Sequence, residues 1–477
     1  MMPLNRRVLF LSAATMLTLA GAKAQASLVP LPGFGSNGWL APGSTPYLTT
    51  GNTERGLAYN PVTGNLVLVA RQNVGGISNN IRVLDGATGA DLFGLDNTGL
   101  TGGTFVVNMC DIDESGAIYA CNLSTSAASP FKVYVWPSEA VGQVAPAFVA
   151  YAGVSGVDRT GDAFAVTGGG SSPAQFAAAG SNATSASNFV VGTLDSTNVS
   201  TAHLSVPGTT VTSNDYRLGL TWVDSSTLIG NQGANARVTS LAGGIATVTS
   251  SIPLGVAARR ALDYTVIGGR PVVAVIDSNT SQVTVLDITD PTLPLTLATG
   301  NNTTGTLAAN ANGTGAVTWG PVVGNTALLY AMSSNQGVQA FLFNLPPASA
   351  TTFGTGCDGL QLDPVGLPTV GNSNFRFDVS NLQPVSPIGL MGFGSVAINP
   401  GVDLTVIGMP GCFAYQTLDI GLFTTGPSIA GTAAFPLAIP ANASLAGASL
   451  AAQGLGFTLS TPATLSTSNG LLFVVGF

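Results

Sequence analysis

A strand–turn–strand unit recurs along the chain and limits the folds that it can adopt. One copy runs from Gly56 to Ala70, where small and apolar residues lead into a Pro-Val-Thr-Gly-Asn turn and a β-branched strand follows. A second copy runs from Met109 to Cys121 around an Asp-Glu-Ser-Gly turn. Short apolar runs bounded by Pro, Gly, Asn and Asp predict β-hairpins. Related copies lie at residues 157–166, 218–230, 261–276 and 316–332.

Six such units follow one another at roughly 45–55 residues, which matches the period of a four-stranded propeller blade. A single blade cannot bury both of its faces, whereas blades packed around an axis bury them and expose only short edges. A β-sandwich array would explain the strands but not the period. We therefore predict an all-β protein with a six-bladed β-propeller over residues 27–347, or a seven-bladed one if residues 146–200 hold two blades. Pro46–Thr50 is expected to supply the strand that closes the ring.

The pattern changes after Leu345-Pro-Pro, and residues 348–477 are expected to form a second, smaller domain. Alternating apolar residues predict strands at Asn374–Val379 and Leu404–Ile407, and a last strand at Gly470–Val475. Short strands with turn signals about every 10 residues indicate a β-sandwich.

Two stretches resemble known families. Residues 55–140 carry Arg-Gly-Leu-Ala-Tyr-Asn-Pro-Val-Thr-Gly-Asn-Leu and Asp-Ile-Asp-Glu-Ser-Gly-Ala-Ile-Tyr, and resemble a secreted bacterial propeller family of unknown function, close to the YVTN and quinoprotein-like propellers. The C-terminal part, with Phe-Gly-Thr-Gly-Cys at 353–357 and Gly-Leu-Pro-Thr-Val-Gly-Asn at 366–372, is similar to a C-terminal domain of exported planctomycete proteins. The resemblance implies fold and export, and neither family brings a catalytic motif to transfer.

The first residues have the pattern of a secretory signal. Arg6 and Arg7 precede an apolar run from Val8 to Ala22, and the following Lys-Ala-Gln-Ala offers cleavage sites after Ala24 or after Ala26. The apolar run is shorter than the ~20 residues of a spanning helix. We predict a signal peptide over residues 1–26 and no transmembrane segment after its removal. The protein is then secreted or on the cell surface, with the periplasm as an alternative.

Four cysteines lie at positions 110, 121, 357 and 412, and an even number in an exported protein indicates disulfides. From their locations we pair Cys110 with Cys121, which flank one hairpin, and Cys357 with Cys412, which lie in one C-terminal segment. Their spacing fits no zinc pattern.

The charge balance excludes some partners. Charged residues make up 8% of the chain, and the 22 acidic residues outnumber the 14 basic ones. A nucleic-acid binder needs a basic stripe for the phosphates, and docking on an anionic membrane needs a similar surface. Both partners are excluded, so a surface glycan or a protein is the expected partner.

The segment Asp111-Ile-Asp113-Glu-Ser115-Gly is similar to the start of a calcium-binding loop, in which alternate oxygens wrap a hard cation. The twelfth position, usually a bidentate Glu, is Asn122. In the competing interpretation the segment is a hairpin turn whose Asp accepts backbone N–H bonds, and we favour this turn. Calcium is the one cofactor for which the sequence offers a candidate site.

Charged residues also recur just before the predicted inner strands of the blades. They are Glu54, Arg55, Asp215, Arg217, Arg260 and Asp263. In one interpretation the arginines ring a mouth of the propeller channel and bind an anion. In the favoured one they pair with the neighbouring carboxylates. A carboxylate cluster on the axis would instead suit a calcium-dependent hydrolase or lyase, as in six-bladed lactonases.

No conventional catalytic site is evident. His203 is the only histidine, and it lies in a strand-like stretch without a nucleophile elbow. Turn capping explains the recurring carboxylates, which include Asp111, Asp113, Asp158, Asp162, Asp224, Asp263 and Asp277. Core packing, rather than a sugar platform, is expected of Trp136, Trp222, Trp319, Tyr59 and Tyr264. The sequence thus predicts a non-enzymatic binding or structural protein.

Overall fold

The computed structural model describes residues 25–477 except for 127, 155–158, 182–186, 195–199, 208–214, 243, 384–387 and 459–463. Residues 1–24, most of the predicted signal peptide, lie outside the described residues. The described chain is all-β and consists of small antiparallel sheets, as predicted. No helix in these described ranges is long and apolar enough to cross a membrane.

The chain divides into two compact units. One unit comprises Ser27–Asn344. The other comprises Leu345–Phe477, together with Gln25 and Ala26 among the described residues.

Two short strands open the first unit, β1 (Ser27–Pro30) and β2 (Trp39–Leu40). Five four-stranded sheets then follow in the described chain, each a meander of consecutive strands. The first consists of β3 (Glu54–Tyr59), β4 (Leu66–Ala70), β5 (Asn80–Leu84) and β6 (Asp91–Gly94). The second consists of β7 (Phe105–Ile112), β8 (Ile118–Leu123), β9 (Pro130–Trp136) and β10 (Phe148–Val154), with the short helix α1 (Glu139–Gly142) before β10.

The next three sheets have the same plan. The third consists of β11 (Arg159–Thr167), β12 (Gln175–Ser181), β13 (Ser187–Leu194) and β14 (Ser200–Pro207). The fourth consists of β15 (Gly219–Asp224), β16 (Thr227–Asn231), β17 (Asn235–Ala242) and β18 (Ile245–Pro253). The fifth consists of β19 (Arg259–Ile267), β20 (Arg270–Asp277), β21 (Val283–Asp287) and β22 (Leu295–Gly300).

The sixth sheet joins both ends of the unit. Its consecutive strands are β23 (Gly315–Val323), β24 (Thr326–Ser333) and β25 (Gly337–Asn344). Strand β1 completes it by pairing antiparallel with β25, and β2 also pairs with β25. The predicted closing strand at Pro46–Thr50 is wrong, because this segment forms no strand. Its Tyr47 and Leu48 side chains are instead buried in the core between the first and sixth sheets.

The first strands of the six sheets lie beside one another in a closed order. Strand β3 contacts β7, β7 contacts β11, and the contacts continue through β15, β19 and β23 back to β3. Gly56 and Gly219 permit this approach, because a Cβ atom there would lie 2.5 Å from Cys110 N and 2.3 Å from Arg260 O.

The core of the first unit lies between neighbouring sheets, and strand β4 shows why. All of its residues are apolar and buried. Leu66, Leu68 and Ala70 pack toward the sixth sheet, whereas Val67 and Val69 pack toward the second. Successive side chains of a strand point to opposite faces, so a sheet packed on both faces needs this continuous apolar run.

The predicted Cys110–Cys121 disulfide is wrong, and the strand register explains the error. Cys110 lies opposite Ala120, and Met109 lies opposite Cys121. The one-residue offset places the two cysteines on opposite faces of the second sheet. Cys110 packs in the core shared with the first sheet, and Cys121 in the core shared with the third. Both are buried free thiols.

The second unit contains sheets of five, three and two strands within its described residues. The five-stranded sheet has the order β26 (Ser349–Phe353), β35 (Thr464–Val474), β34 (Ser449–Thr458), β29 (Ile388–Gly394) and β32 (Gly421–Pro427). The three-stranded sheet has the order β27 (Gln361–Val365), β28 (Arg376–Ser380) and β33 (Ala433–Pro436), and β30 (Ala397–Asp403) pairs with β31 (Phe413–Gln416). Short 3-10 helices lie at Thr405–Ile407 and Ala443–Leu445, so the predicted strand at Leu404–Ile407 is wrong.

Aromatic rings fill the space between the two larger sheets of this unit. The Phe377 ring of β28 lies 5.3 Å from the Phe473 ring and 5.8 Å from the Phe393 ring, both in the five-stranded sheet. The predicted Cys357–Cys412 disulfide is confirmed, and it joins positions 55 residues apart.

Candidate functional site

The six first strands enclose a central cavity of about 60 Å³. Residues from all six contribute to its wall, including Leu57, Asp111, Phe164, Thr221, Asp263 and Thr318. A cavity of this size holds only a few water molecules. It is therefore too small for a ligand of the size of a drug or a cofactor.

Two half-buried carboxylates of this cavity are held by neighbouring strands. Asp263 accepts hydrogen bonds from Thr221 Oγ1 at 2.7 Å, from the backbone N–H of Tyr264 at 2.8 Å and from that of Trp319 at 2.9 Å. Burial raises the pKa of Asp263. This residue, predicted for a channel mouth, thus lies inside the cavity and links β15, β19 and β23.

Asp111 has the corresponding place on β7. Its carboxylate accepts from the backbone N–H of Ile112 at 2.9 Å and from that of Val166 at 2.6 Å. Burial raises the pKa of Asp111 to about 7 against the opposing effect of these hydrogen bonds, and the charge of Asp263 adds to the rise.

The contacts around Asp111, Asp113 and Ser115 support a hairpin turn. Asp113 Oδ1 accepts from Ser115 N at 2.9 Å, Ser115 Oγ at 2.6 Å and Ala117 N at 3.0 Å, as expected of an Asx turn. Tyr119 donates to Asp113 Oδ2 at 2.9 Å. Asp111 bonds elsewhere, so these oxygens do not form one cage. Among the described residues, no group of three or more His, Cys, Asp or Glu residues could hold a metal ion.

A larger cleft of about 490 Å³ lies next to the central cavity, and Leu218 belongs to the walls of both. We call it the arginine cleft, because four arginines line it: Arg55, Arg71, Arg159 and Arg217. Its neutral lining includes Asn52, Thr53, Asn79, Phe105, Asn108, Asn312 and Thr314. Most of these residues precede or begin the first strands, so the cleft lies at one end of the ring of strands.

Asp162 neutralises one side of the arginine cleft. Its nearly buried carboxylate pairs with Arg159 and with Arg217, whose Nε lies 3.0 Å from Asp162 Oδ2. The second Arg159 contact, from Nη2 to Asp162 Oδ1, is 2.7 Å long. The hydrogen bond to Asp162 raises the pKa of Arg159.

Arg55 lies at the other side of the cleft and is only 5% exposed. Its Nη1 donates to Glu54 O at 3.1 Å, Thr314 Oγ1 at 2.8 Å and Ser334 Oγ at 3.1 Å, all of them neutral groups. The Glu54 carboxylate instead accepts from the backbone N–H groups of Thr49 and Asn335. Burial therefore lowers the pKa of Arg55.

Arg71 follows β4 and lies over the Phe105 ring, with its Cζ atom 3.6 Å from the ring centroid. Its Nη2 donates to Asn52 O at 3.4 Å, whereas its Nη1 is buried and has no hydrogen-bond partner. Burial, with the nearby charge of Arg55 as a second cause, lowers the pKa of Arg71 to about 9. A second buried side-chain atom among the lining residues, Asn108 Oδ1, also has no hydrogen-bond partner.

The structure brings together two of the six predicted mouth residues. Arg55 and Arg217 line the arginine cleft, whereas Asp215 pairs with Arg237 at 3.5 Å. The Arg260 side chain lies against Gly313 and donates to Ala257 O at 3.4 Å. The favoured interpretation, in which the arginines pair with the neighbouring carboxylates, is wrong for all three of them. Among the described residues, Arg217 pairs with Asp162, whereas Arg55 and Arg260 donate to neutral groups.

Sequence reasoning missed Arg71, Arg159 and Asn108. Arg159 begins β11 just as Arg55 lies near the start of β3, so its place before an inner strand was a usable signal. Arg71 and Asn108 had no such signal, because one follows a strand and the other lies within one.

Several other residues that the sequence singled out lie in the cores or in turns. The three tryptophans predicted for the cores are buried: Trp136, Trp222 and Trp319. Asp224 and Asp277 accept turn N–H bonds, as predicted. His203 lies in β14, but its side chain and all of Asp158 lie outside the described residues.

Comparisons with known proteins assign no function. No protein-family model matches the sequence, and no curated protein matches it significantly. A DUF4623 family protein from Bacteroides eggerthii aligns with a TM-score of 0.46 and 15% identity, over 61% of this chain and 71% of that one. The major allergen Mala s 1 of Malassezia sympodialis aligns with a TM-score of 0.38 and 12% identity, over 62% of this chain and 92% of that one. The resemblance to YVTN-like propellers stays a prediction.

Proposed function

We propose that the protein is an exported binding protein that takes an anionic small molecule into the arginine cleft without catalysing a reaction. The observation that carries this proposal is the pair Arg55 and Arg71. Neither forms an ion pair with a carboxylate of the described residues, and the bound groups of both are neutral. The sequence placed Arg55 among the anion-binding candidates, and Arg71 adds the second charge.

The energetics of this pair favour an anion. Desolvating a guanidinium group costs free energy unless a partner compensates, and a nearby like charge adds to that cost. Both effects lower the pKa of Arg71 to about 9. A bound carboxylate or phosphate would offset both the desolvation cost and the repulsion between the two arginines. The volume of about 490 Å³ lies in the range of small-molecule sites.

The proposed architecture is a six-bladed β-propeller followed by a β-sandwich. The closed order of contacts among the six first strands supports the ring, and β1 supports its closure through the sixth sheet. Residues 146–200 supply β10 to the second sheet and β11–β13 to the third, which favours six blades over seven. The cleft then lies at one mouth of the channel.

Export rests on the N-terminal signal pattern and on the Cys357–Cys412 bridge, because disulfides persist in oxidising compartments. The cell surface or the extracellular space is the proposed location, with the periplasm as an alternative. The rival function, a calcium-dependent hydrolase or lyase, has no specific observation in its favour among the described residues.

Thermal unfolding of the mature chain in citrate tests the proposal, with sodium chloride at matched ionic strength as the reference. Citrate should raise Tm saturably, since a ligand at a hundredfold excess over its Kd adds about 2.7 kcal/mol of stability. Arg71→Gln should abolish the saturable rise. The control is Arg376→Gln, an exposed arginine paired with Asp378 in the other unit, which should keep the rise. The proposal fails if citrate acts no differently from chloride, or if Arg71→Gln responds like the control.

A further inference from the structure

The arginine cleft concentrates positive charge in a chain that has little of it. Four of the chain's 14 basic residues line the cleft, whereas Asp162 is the one acidic residue in its described lining, out of 22 in the chain. Burial lowers the pKa of both Arg55 and Arg71, and the charge of Arg159 acts in the same direction on each. These guanidinium groups are therefore close enough to repel one another, and the cleft attracts most strongly a ligand with more than one negative charge.

Three of the four arginines also have donors that are free to bind a ligand. Arg159 and Arg217 bind Asp162 through Nε, and Arg159 also uses Nη2. Arg55 binds its neutral partners through Nη1 alone. The other nitrogens have no hydrogen-bond partner among the described residues, and they are Arg55 Nε and Nη2, Arg159 Nη1 and both Nη atoms of Arg217. Unlike Arg71 Nη1, none of them is shut off from solvent, so the cleft offers unused N–H groups from both of its sides.

We propose that the ligand is a phosphate monoester of a hydroxyl-bearing compound, such as a hexose 6-phosphate. The inference rests on the proposed anion-binding function and specifies the class of its ligand. A phosphate monoester carries a charge of about −1.5 to −2 near pH 7 and has three strong acceptor oxygens. The phosphate lies between Arg55 on one side of the cleft and the pair Arg159 and Arg217 on the other, and it accepts hydrogen bonds from their free nitrogens.

The supply of free donors favours a phosphate over a carboxylate. Each free Nη atom carries two N–H groups, so together these nitrogens carry more N–H groups than the roughly four lone-pair sites of a carboxylate can accept. A tetrahedral phosphate points its three oxygens in different directions and can reach donors on both sides of the cleft, whereas a planar carboxylate has its two oxygens along one edge. The second negative charge of a phosphate monoester also offsets more of the positive charge than a carboxylate or a sulfate monoester can.

The remaining lining favours a hydroxyl-bearing body on the phosphate. A phosphate group alone would leave most of a cleft of about 490 Å³ unfilled. The side-chain amides of Asn79 and Asn312 also line this space, and they form no hydrogen bond within the described part of the chain. Each amide both donates and accepts, as sugar hydroxyls do. The Phe105 ring, 41% exposed, adds an apolar edge for a sugar ring.

Titration calorimetry on the unmodified mature chain tests this inference with ligands that each differ in one feature. Glucose 6-phosphate is the reference, glucose 6-sulfate has one negative charge fewer, glucuronate has a carboxylate in place of the ester, and inorganic phosphate lacks the sugar. Glucose 6-phosphate should bind at least about tenfold more tightly than each of the other three. Equal or tighter binding of the sulfate ester or of glucuronate would overturn the phosphate assignment. Equal or tighter binding of inorganic phosphate would overturn the hydroxyl-bearing body.

A matched pair of variants assigns the contact with Arg217. The Arg217 and Arg237 side chains are both 31% exposed and each pairs with one aspartate, but Arg237 lies outside the described lining of the cleft. Arg217→Gln should weaken glucose 6-phosphate at least about tenfold, because it removes two free Nη donors and their charge, and Arg237→Gln should leave the affinity unchanged. Equal affinities of the two variants would contradict the contact. The ligand series needs no variant, so the inference can fail even if Arg217→Gln does not fold.

Further outcomes separate this inference from the proposed function. Saturable, Arg71-dependent stabilisation by citrate without binding of glucose 6-phosphate would overturn the phosphate ester and keep the anion site. If neither citrate nor any ligand of the series binds, both proposals fail.

Discussion

Asp111 shows how a single residue of the first strands can couple the fold to pH. Its ordinary pKa of 3.8 rises to about 7 in the folded chain, so the folded state holds a proton that the unfolded state has released between these values. Stability therefore falls as pH rises from about 4 to 7 and is level above that window. The full effect is up to about 4 kcal/mol, since each tenfold change in proton affinity corresponds to ~1.4 kcal/mol.

Asp111→Asn removes this titration, and the expected result is a difference in slope. The altered hydrogen bonds to Ile112 and Val166 should change the stability of the variant by a constant amount. As pH rises from 4 to 7, the unmodified chain should lose stability and the variant should not, so the difference between their free energies of unfolding should shift in favour of the variant. Urea unfolding at several pH values measures it. Asp224→Asn is the control, because Asp224 caps an exposed turn and its pKa is lowered. Parallel curves for the unmodified chain and Asp111→Asn would refute the prediction.

Strand β1 carries a prediction at the scale of the element. It occupies the outer edge of the sixth sheet, where Leu28 lies opposite Phe343 and its side chain packs near the Phe341 ring. The neighbouring Val29 side chain is 48% exposed. Strand β1 also contacts β22 of the fifth sheet. If β1 holds the fifth and sixth sheets together, the side chain that it buries should matter more than the one that it exposes.

We expect Leu28→Ala to lower the free energy of unfolding by about 1–2 kcal/mol, below the 2–5 kcal/mol of a fully buried Leu because Leu28 is half-buried. The matched control, Val29→Ala, should change it by less than about 0.5 kcal/mol. Urea unfolding followed by tryptophan fluorescence gives both values. Similar values for the two variants would mean that β1 is not a stabilising part of the sheet.

Elements also show which parts of the fold a sequence can predict. The hairpins of β3–β4 and β7–β8 were predictable, because their turn residues lie next to one another in the chain. The closing strand was not, since β1 pairs with a strand some three hundred residues away and no local signal marks that partner. The faces of Cys110 and Cys121 depended on a one-residue register, which spacing alone does not determine.

At the scale of the whole molecule, the candidate site was harder to predict than the fold for a related reason. The cleft collects Arg71 from the first sheet, Asn108 from the second and Arg217 from the start of the fourth. Each is unremarkable beside its sequence neighbours. Only the closed order of the first strands brings these three residues together. The repeat period could therefore indicate where the inner strands begin, but not which side chains would lack hydrogen-bond partners.

The division into two units predicts how the chain responds to loss of its disulfide. Cys357 and Cys412 both lie in the second unit, and their bridge closes a loop of 55 residues, worth about 4 kcal/mol in the chain-entropy model. All four tryptophans, at positions 39, 136, 222 and 319, lie in the first unit. Fluorescence of tryptophan therefore reports on one unit, whereas calorimetry records both.

Replacing both bridged cysteines, Cys357→Ser with Cys412→Ser, should lower the Tm of a calorimetric transition and leave the tryptophan transition in place. Cys110→Ala is the complementary variant, because this buried thiol lies in the core between the first two sheets. This variant should lower the midpoint of the tryptophan transition and leave the calorimetric transition of the second unit unchanged. An equal shift of both transitions by either variant would show that the two units unfold as one cooperative body, since separate cores must respond separately to changes within them.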